Sequence, residues 1–365
     1  MRFNGYGCVD LHAASTYQVN NNQNKNIVLG KNSFSRDNST DNVTIKYVYI
    51  EAIYQNLPST GAGRNAIHTN LYEGNAVNTG LVFSRMYIYG ACNQWMLRNT
   101  NGAIVEYSAA FGNSSNSANH GESVNLYYSG DDAIIRYNQF EQIVGTAIVA
   151  ITQANGCQFY GNVCWDYQVG DGAVGFAGGD ASNCRVYNNT FVNGKAGIFS
   201  SNSSNNLVYN NLWYSTRSTW MGGIHDYNAF SGTNNYGESH AQVNVPTSIF
   251  TNYAGDDFRL AAPTSAGYTL AAPYNVDMYG NTRGADGVWD RGAYEYSTTG
   301  IQYPITAYNM RGQASNAQCP ISNDNQKYIY TVLGKRVPEG VAVSPGIYLV
   351  ISRENDIVRK YMVIK

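Results

Sequence analysis

A tyrosine followed by polar turn residues recurs through the middle of the chain. It appears in AIVEYSAAF (Tyr107), AIIRYNQF (Tyr137), CQFYGNVC (Tyr160), CRVYNNTF (Tyr187) and NLVYNNLW (Tyr209). The successive steps are 30, 23, 27 and 22 residues. Within each step the apolar residues fall in short β-rich runs broken by Asn, Gly and Ser, not at a helical period. A unit this short cannot bury its own apolar face, so it must stack on its neighbours. Stacked strands lie about 4.8 Å apart, so equivalent positions should hold matching side chains.

Two interior rows are predicted on that basis. Three residues before the marker stand Ile104, Ile134, Cys157, Cys184 and Asn206, or Leu207 one later. Four residues after it stand Phe111, Cys164, Phe191 and Trp213, with Phe140 one earlier. Asn138, Asn162, Asn188, Asn189, Asn210 and Asn211 follow the markers, where an inward amide can bond the coils above and below. A second strand per coil stacks Val124, Ile148, Val174 and Ile198. Its opposite face, with Ser123, Ala147, Ala173 and Gly197, is small and apolar. It is expected to be covered by an N-terminal segment, a partner subunit or a flat ligand.

The composition agrees with a stacked chain whose polarity comes from amides and hydroxyls. Only 13% of residues are charged, while Gly numbers 37 and Tyr 31 among 365 residues. A net charge of −2 gives no reason to expect a nucleic-acid partner. No apolar run approaches the roughly 18 residues of a membrane helix. The six cysteines, Cys8, Cys92, Cys157, Cys164, Cys184 and Cys319, match no zinc spacing. Cys157 and Cys184 are expected to stack as free thiols.

On VYNNTFVNGKAGI and VYNNLW, the chain resembles the right-handed parallel β-helix proteins of the pectin-lyase-like superfamily over roughly residues 25–295. The stretch from Asp256 to Tyr296, with D-F-R-L … D-x-x-G-x-x-R … D-x-G-A-Y-E, resembles the closing segment that often follows such helices. After Tyr296 the composition changes. Gly334, Val337, Gly346-Ile347-Tyr348, Val350, Lys360 and Lys365 resemble the C-terminal sorting domain of the type IX secretion system of Bacteroidetes. These resemblances imply an all-β chain: a right-handed parallel β-helix (solenoid) over residues 1–296, clearest at about 100–215 and closed by 256–296. A small β-sandwich-like sorting domain is expected at 297–365. They also imply a secreted or cell-surface protein that uses the type IX machinery. The opening MRFNGYGCVDL has no basic region followed by an apolar core, so the native start of an exported protein is expected to be missing from this chain.

Charge is scarce in the coils, which makes each charged residue a candidate. Glu122, Asp171 and Lys195 are expected along one edge of the second strand. Glu122 and Asp171, two coils apart, would stand about 10 Å from each other, near an inverting glycosidase pair. Lys195 could instead be the base of a lyase, removing the proton alpha to a uronate carboxylate. The plainer reading is an ion pair between Asp171 and Lys195. His120 and Glu122, at i and i+2, point the same way on an extended segment. Asp131 and Asp132 in SGDDAII resemble the G-D-D segment of polygalacturonases, but the companion N-T-D, G-H-G and R-I-K segments are absent. These two are weaker candidates. Aspartates also suit turns, and such carboxylates could hold calcium, although no calcium-loop motif is visible. Tyr127, Trp165 and Tyr167 are the substrate-stacking candidates, with Tyr128, Trp213 and Trp220 beside them. Two readings follow. One is a secreted enzyme that cleaves a polysaccharide by glycoside hydrolysis or uronate β-elimination. The other is a noncatalytic surface adhesin, carbohydrate-binding or self-assembling protein, associating through the outward apolar strand face.

Overall fold

The computed structural model describes residues 2–3, 25–29, 42–46, 49–52, 65–69, 77–91, 93–113, 121–143, 147–152, 154–167, 181–198 and 204–297. In the tail it describes 327–331, 336–337, 347–354 and 357–364. The chain divides into two compact units, Met1–Phe3 with Leu11–Tyr303, and Asn4–Asp10 with Pro304–Lys365. Every regular element described is a β-strand, apart from the single 3-10 turns Thr247–Ile249 and Tyr253–Gly255.

In the larger unit the chain passes repeatedly through long parallel sheets in the same order. One circuit runs through Ile104–Glu106 in the first sheet, Ala109–Phe111 in the second and Val124–Asp131 in the third, then returns to the first at Ile134–Arg136. The first sheet has nine strands, the second eight and the third six, one of them the short side strand Asn78–Thr79. Parallel neighbours come from successive circuits, so each residue lies beside its equivalent one circuit away.

The tight turns explain the marker. Between the first and second sheets one residue per circuit is left-handed: Arg85, Tyr107, Tyr137, Gly161, Asn188, Asn210 and Tyr227. These positions follow Ser84, Glu106, Arg136, Tyr160, Tyr187, Tyr209 and Asp226, which are register partners. The sequence marker therefore slips by one. Tyr107 and Tyr137 occupy the turn, whereas Tyr160, Tyr187 and Tyr209 end the strand.

That slip corrects the predicted rows. Ile104 and Ile134 pair with Gln158, Arg185 and Leu207 on the outward face. The inward row is Ile45, Phe83, Val105, Ile135, Phe159, Val186 and Val208. Likewise Ala110, not Phe111, aligns with Phe140, Cys164, Phe191 and Trp213. Phe191 and Trp213 stack with centroids 4.0 Å apart. In the third sheet Val124 pairs with Val149, not Ile148. Ser123 is buried and donates to Gln94 of the preceding circuit. Val174 lies outside the described residues, as does most of the N-terminal segment expected to cover that face. Cys157, Cys164 and Cys184 are buried free thiols.

The asparagine row is continuous and one-directional. The backbone N–H groups of Ser108, Asn138, Asn162, Asn189 and Asn211 donate to the side-chain oxygens of Asn138, Asn162, Asn189, Asn211 and Asn228, at 2.8–3.0 Å. Each side-chain amide donates back to an interior carbonyl of the preceding circuit. At the far end Glu238, an acceptor with no donor of its own, takes both the N–H and the amide of Asn228. Asn188 and Asn210 behave differently from the expected ladder. Their side chains point outward and hold the closing segment, at Tyr274 and Trp289 and at Tyr268.

That closing segment lies over the outward face of the second sheet. Its hairpin, Phe250–Asn252 with Asp257–Leu260, packs Phe258 on Trp165 at 5.8 Å and Phe250 on Tyr214 at 5.1 Å. The signature residues form its polar interior. Asp277 accepts from Tyr279, Asn281 and Glu295 N–H groups, and Asp290 from Thr264 and Tyr296. Buried Arg283 donates to the carbonyls of Asp290 and Ala293, 3.6 Å from Glu295. In the smaller unit Lys327–Thr331, Arg336–Val337, Ile347–Glu354 and Ile357–Ile364 form a four-stranded antiparallel sheet.

Candidate functional site

The rings along the corner between the first and second sheets touch in an unbroken string. Tyr107 meets Tyr137 at 5.2 Å, and Tyr137 meets Tyr160 at 5.5 Å. Tyr274 of the closing segment stands edge-on between Tyr160 and Tyr187, 4.9 Å from each. Tyr187 stacks on Tyr209 at 5.9 Å. Tyr268 bridges Tyr209 and Tyr227, 5.5 Å from both. Successive circuits bring one ring each to the corner, and the closing segment inserts two more between them.

The string is not uniformly buried. Tyr137, Tyr160 and Tyr187 are covered, Tyr209 and Tyr227 are half-buried, and Tyr268 is 46% exposed. In the edge strand that leads to Tyr227, Ile224 stands in register with Leu207 and is 60% exposed. The result is a shallow apolar platform with phenol groups along it.

The platform ends in a histidine. His240 lies parallel to Tyr227, with centroids 4.3 Å apart and planes 6° apart. Its Nδ1 is 2.7 Å from Asp226 Oδ2, and its backbone N–H donates to Asp226 Oδ1 at 2.9 Å. Tyr227 N–H donates to the same oxygen. Burial alone would raise the Asp226 carboxyl, but the His240 ring and these N–H groups draw it below the ordinary aspartate value. One residue earlier, His225 Nδ1 is 3.0 Å from Glu238 Oε1. His225 stands in register with Val208, so it ends the inward apolar row as Glu238 ends the asparagine row. Each histidine thus takes the more distant carboxylate: His225 pairs with Glu238 and not with adjacent Asp226, and His240 with Asp226 and not with Glu238 two residues before it. Nothing in the spacing of these residues signals this, because the pairing depends on the loop from 227 to 240 folding back over the last circuit.

The sequence-predicted candidates that are described lie elsewhere. Glu122 is 3% exposed, its Oε2 accepting from Asn125 and its N–H donating to Asn93. His120 and Asp171 lie outside the described residues, so the proposed edge of Glu122, Asp171 and Lys195 does too. Lys195 begins the strand Lys195–Ile198 and pairs in register with Arg217. Asp131 accepts from Asn155 N–H at 2.8 Å, and Asp132 fills a left-handed turn. Both therefore have turn roles. Trp165 and Tyr167 are corrected as stacking residues. Trp165 is 2% exposed beneath the closing segment, and Tyr167 is fully buried in the core, as is Trp213. Tyr127 belongs to the strand Val124–Asp131, and its side chain lies outside the description. Among the described residues no three His, Cys, Asp or Glu side chains converge as a metal site, and no helix is long and apolar enough to cross a membrane. No protein-family model and no curated protein matches the chain.

Proposed function

We propose that this chain is a right-handed parallel β-helix of the pectin-lyase-like kind that engages a polysaccharide along the aromatic corner. The handedness follows from the strong right-handed bias of parallel crossover connections. The observation that carries the ligand class is the open end of the ring string, Tyr209, Tyr268 and Tyr227 beside exposed Ile224. A ring with an apolar face and a polar tip suits the face and hydroxyl edge of a sugar. The tail, with Ile347, Tyr348 and Val350 on one strand of an antiparallel sheet, is read as a type IX sorting domain of a secreted or surface-held Bacteroidetes protein.

Cleavage of the bound polymer is the second reading, by hydrolysis or uronate elimination. Lys195, whose backbone stands in register with Arg217, is the residue read as the base of the elimination. Binding and turnover on one polysaccharide panel test both readings. Affinity that falls about tenfold in Tyr268→Ala supports the platform. Retention of wild-type affinity in that variant removes it. New reducing ends with ultraviolet absorbance would establish elimination, reducing ends alone hydrolysis, and binding without either a noncatalytic role.

A further inference from the structure

The aromatic platform is chemically blunt, because every pyranose has a face that can stack on a tyrosine. Selectivity must come from a polar group fixed beside it, and the pair Asp226–His240 is held in place there. A carboxylate can only accept, so the 2.7 Å contact puts a proton on Nδ1. In the neutral ring Nε2 is left as the acceptor, on a side chain that is 54% exposed. The ring cannot turn freely. Its plane is set by Tyr227 beneath it, and its backbone is tied to Asp226 Oδ1.

The charges behind this ring have a definite balance. Asp226 is in contact with it, and Glu238 lies buried next to His225. Among the described residues Arg291 sits 5.9 Å from the Tyr227 ring centroid and donates to the carbonyls of Asn228 and Ala266. Arg185 stands two strands further along the first sheet and donates to the carbonyls of Cys184 and Asn205. An acceptor nitrogen backed by a carboxylate attracts a hydroxyl proton and repels a sugar carboxylate.

We propose that the Asp226–His240 pair is the polar anchor of the platform and that it selects a neutral glycan, read through a hydroxyl, against a polyuronate. This rests on the polysaccharide reading of the corner. Calorimetric titration of the full chain with a neutral β-glucan, xylan and mannan, and with polygalacturonate and alginate, separates the two. Preference for a neutral polymer by tenfold or more is the expected result. Tighter binding of a polyuronate overturns the anchor while leaving the platform intact, and binding of no polymer removes both.

Two substitutions sharpen the test. His240→Phe keeps the stack on Tyr227 but removes Nε2, and should weaken the neutral polymer about fivefold, the worth of one hydrogen bond. Unchanged affinity in a folded His240→Phe variant overturns the proposal. Asp226→Asn removes the negative charge and lets the ring carry its proton on Nε2. It should raise affinity for polyuronate about fivefold while leaving the neutral polymer within about twofold. A merely structural role for Asp226 would lower both affinities together. If either variant fails to fold, the wild-type selectivity decides.

Discussion

Asn211 shows how one amide serves three circuits. Its oxygen accepts from Asn189 N–H, and its nitrogen donates to Val186 C=O and to Asn228 Oδ1. Asn211→Ala should strand two buried backbone groups and cost about 2–4 kcal/mol, measured by urea unfolding. Asn210→Ala, one residue away, loses its two bonds to Tyr268 and puts alanine in left-handed backbone at φ 59°, and should cost about 1–3 kcal/mol. The doubled asparagine in YNN therefore has two separate roles, inward cohesion and outward docking. Glu238 carries a different constraint, since both its oxygens face donors. Glu238→Gln keeps the shape but turns an NH2 group toward Asn228 or His225. A loss of about 1–3 kcal/mol is expected. An unchanged unfolding midpoint would show that the end of the row needs no carboxylate.

At the scale of elements, the closing segment is held by side chains the coils direct outward. Gly292 has φ 107°, and a Cβ there would lie 2.8 Å from Thr190 Oγ1 and 3.2 Å from Leu212 Cβ. Its N–H donates to Asn210 C=O, and the next N–H, of Ala293, donates to Thr190 Oγ1. Gly292→Ala combines left-handed backbone with a clash and should cost about 1–3 kcal/mol, read from the melting temperature. Trp165→Ala would open a void between the second sheet and the hairpin Phe250–Asn252/Asp257–Leu260, at about 3–5 kcal/mol. Full retention of stability in that variant would mean that the segment is not seated on the sheet in solution.

The larger unit should also show a pH signature. Burial pushes the Glu295 carboxyl up to about 7, against the N–H groups of Gly284 and Asp290 and the Arg283 guanidinium, which pull it down. Burial likewise raises Asp290. A carboxyl that holds its proton more tightly when folded stabilises below its unfolded value, and that contribution is lost as pH rises through the folded value. Stability should therefore fall between about pH 4.5 and pH 7, by up to about 3 kcal/mol from Glu295. Glu295→Gln should flatten this slope. Asp226 works in the opposite sense, its lowered carboxyl losing stabilisation as pH drops below the ordinary aspartate value. A profile still rising with pH from 4.5 to 7 would contradict this assignment.

The sequence by itself determined the period, the strand-rich circuits, the inward asparagines and the membership of Asp256–Tyr296 in one packed segment. These are legible because stacking forces equivalent positions to hold matching side chains, and matching can be seen in a linear string. Only the tertiary structure decided the register, which slips by one where Gly161 takes the turn that Tyr107 and Tyr137 occupy in other circuits. It also decided which aromatics are open. Trp165 is a candidate on its sequence and Tyr268 is not, yet the closing segment buries the first and presents the second. The pairs His225–Glu238 and His240–Asp226 join residues 13 and 14 positions apart, and no periodicity extends over that stretch. Side chains repeated by stacking announce themselves in the sequence. Side chains joined once, where the stack ends, are placed by the folding of the whole chain.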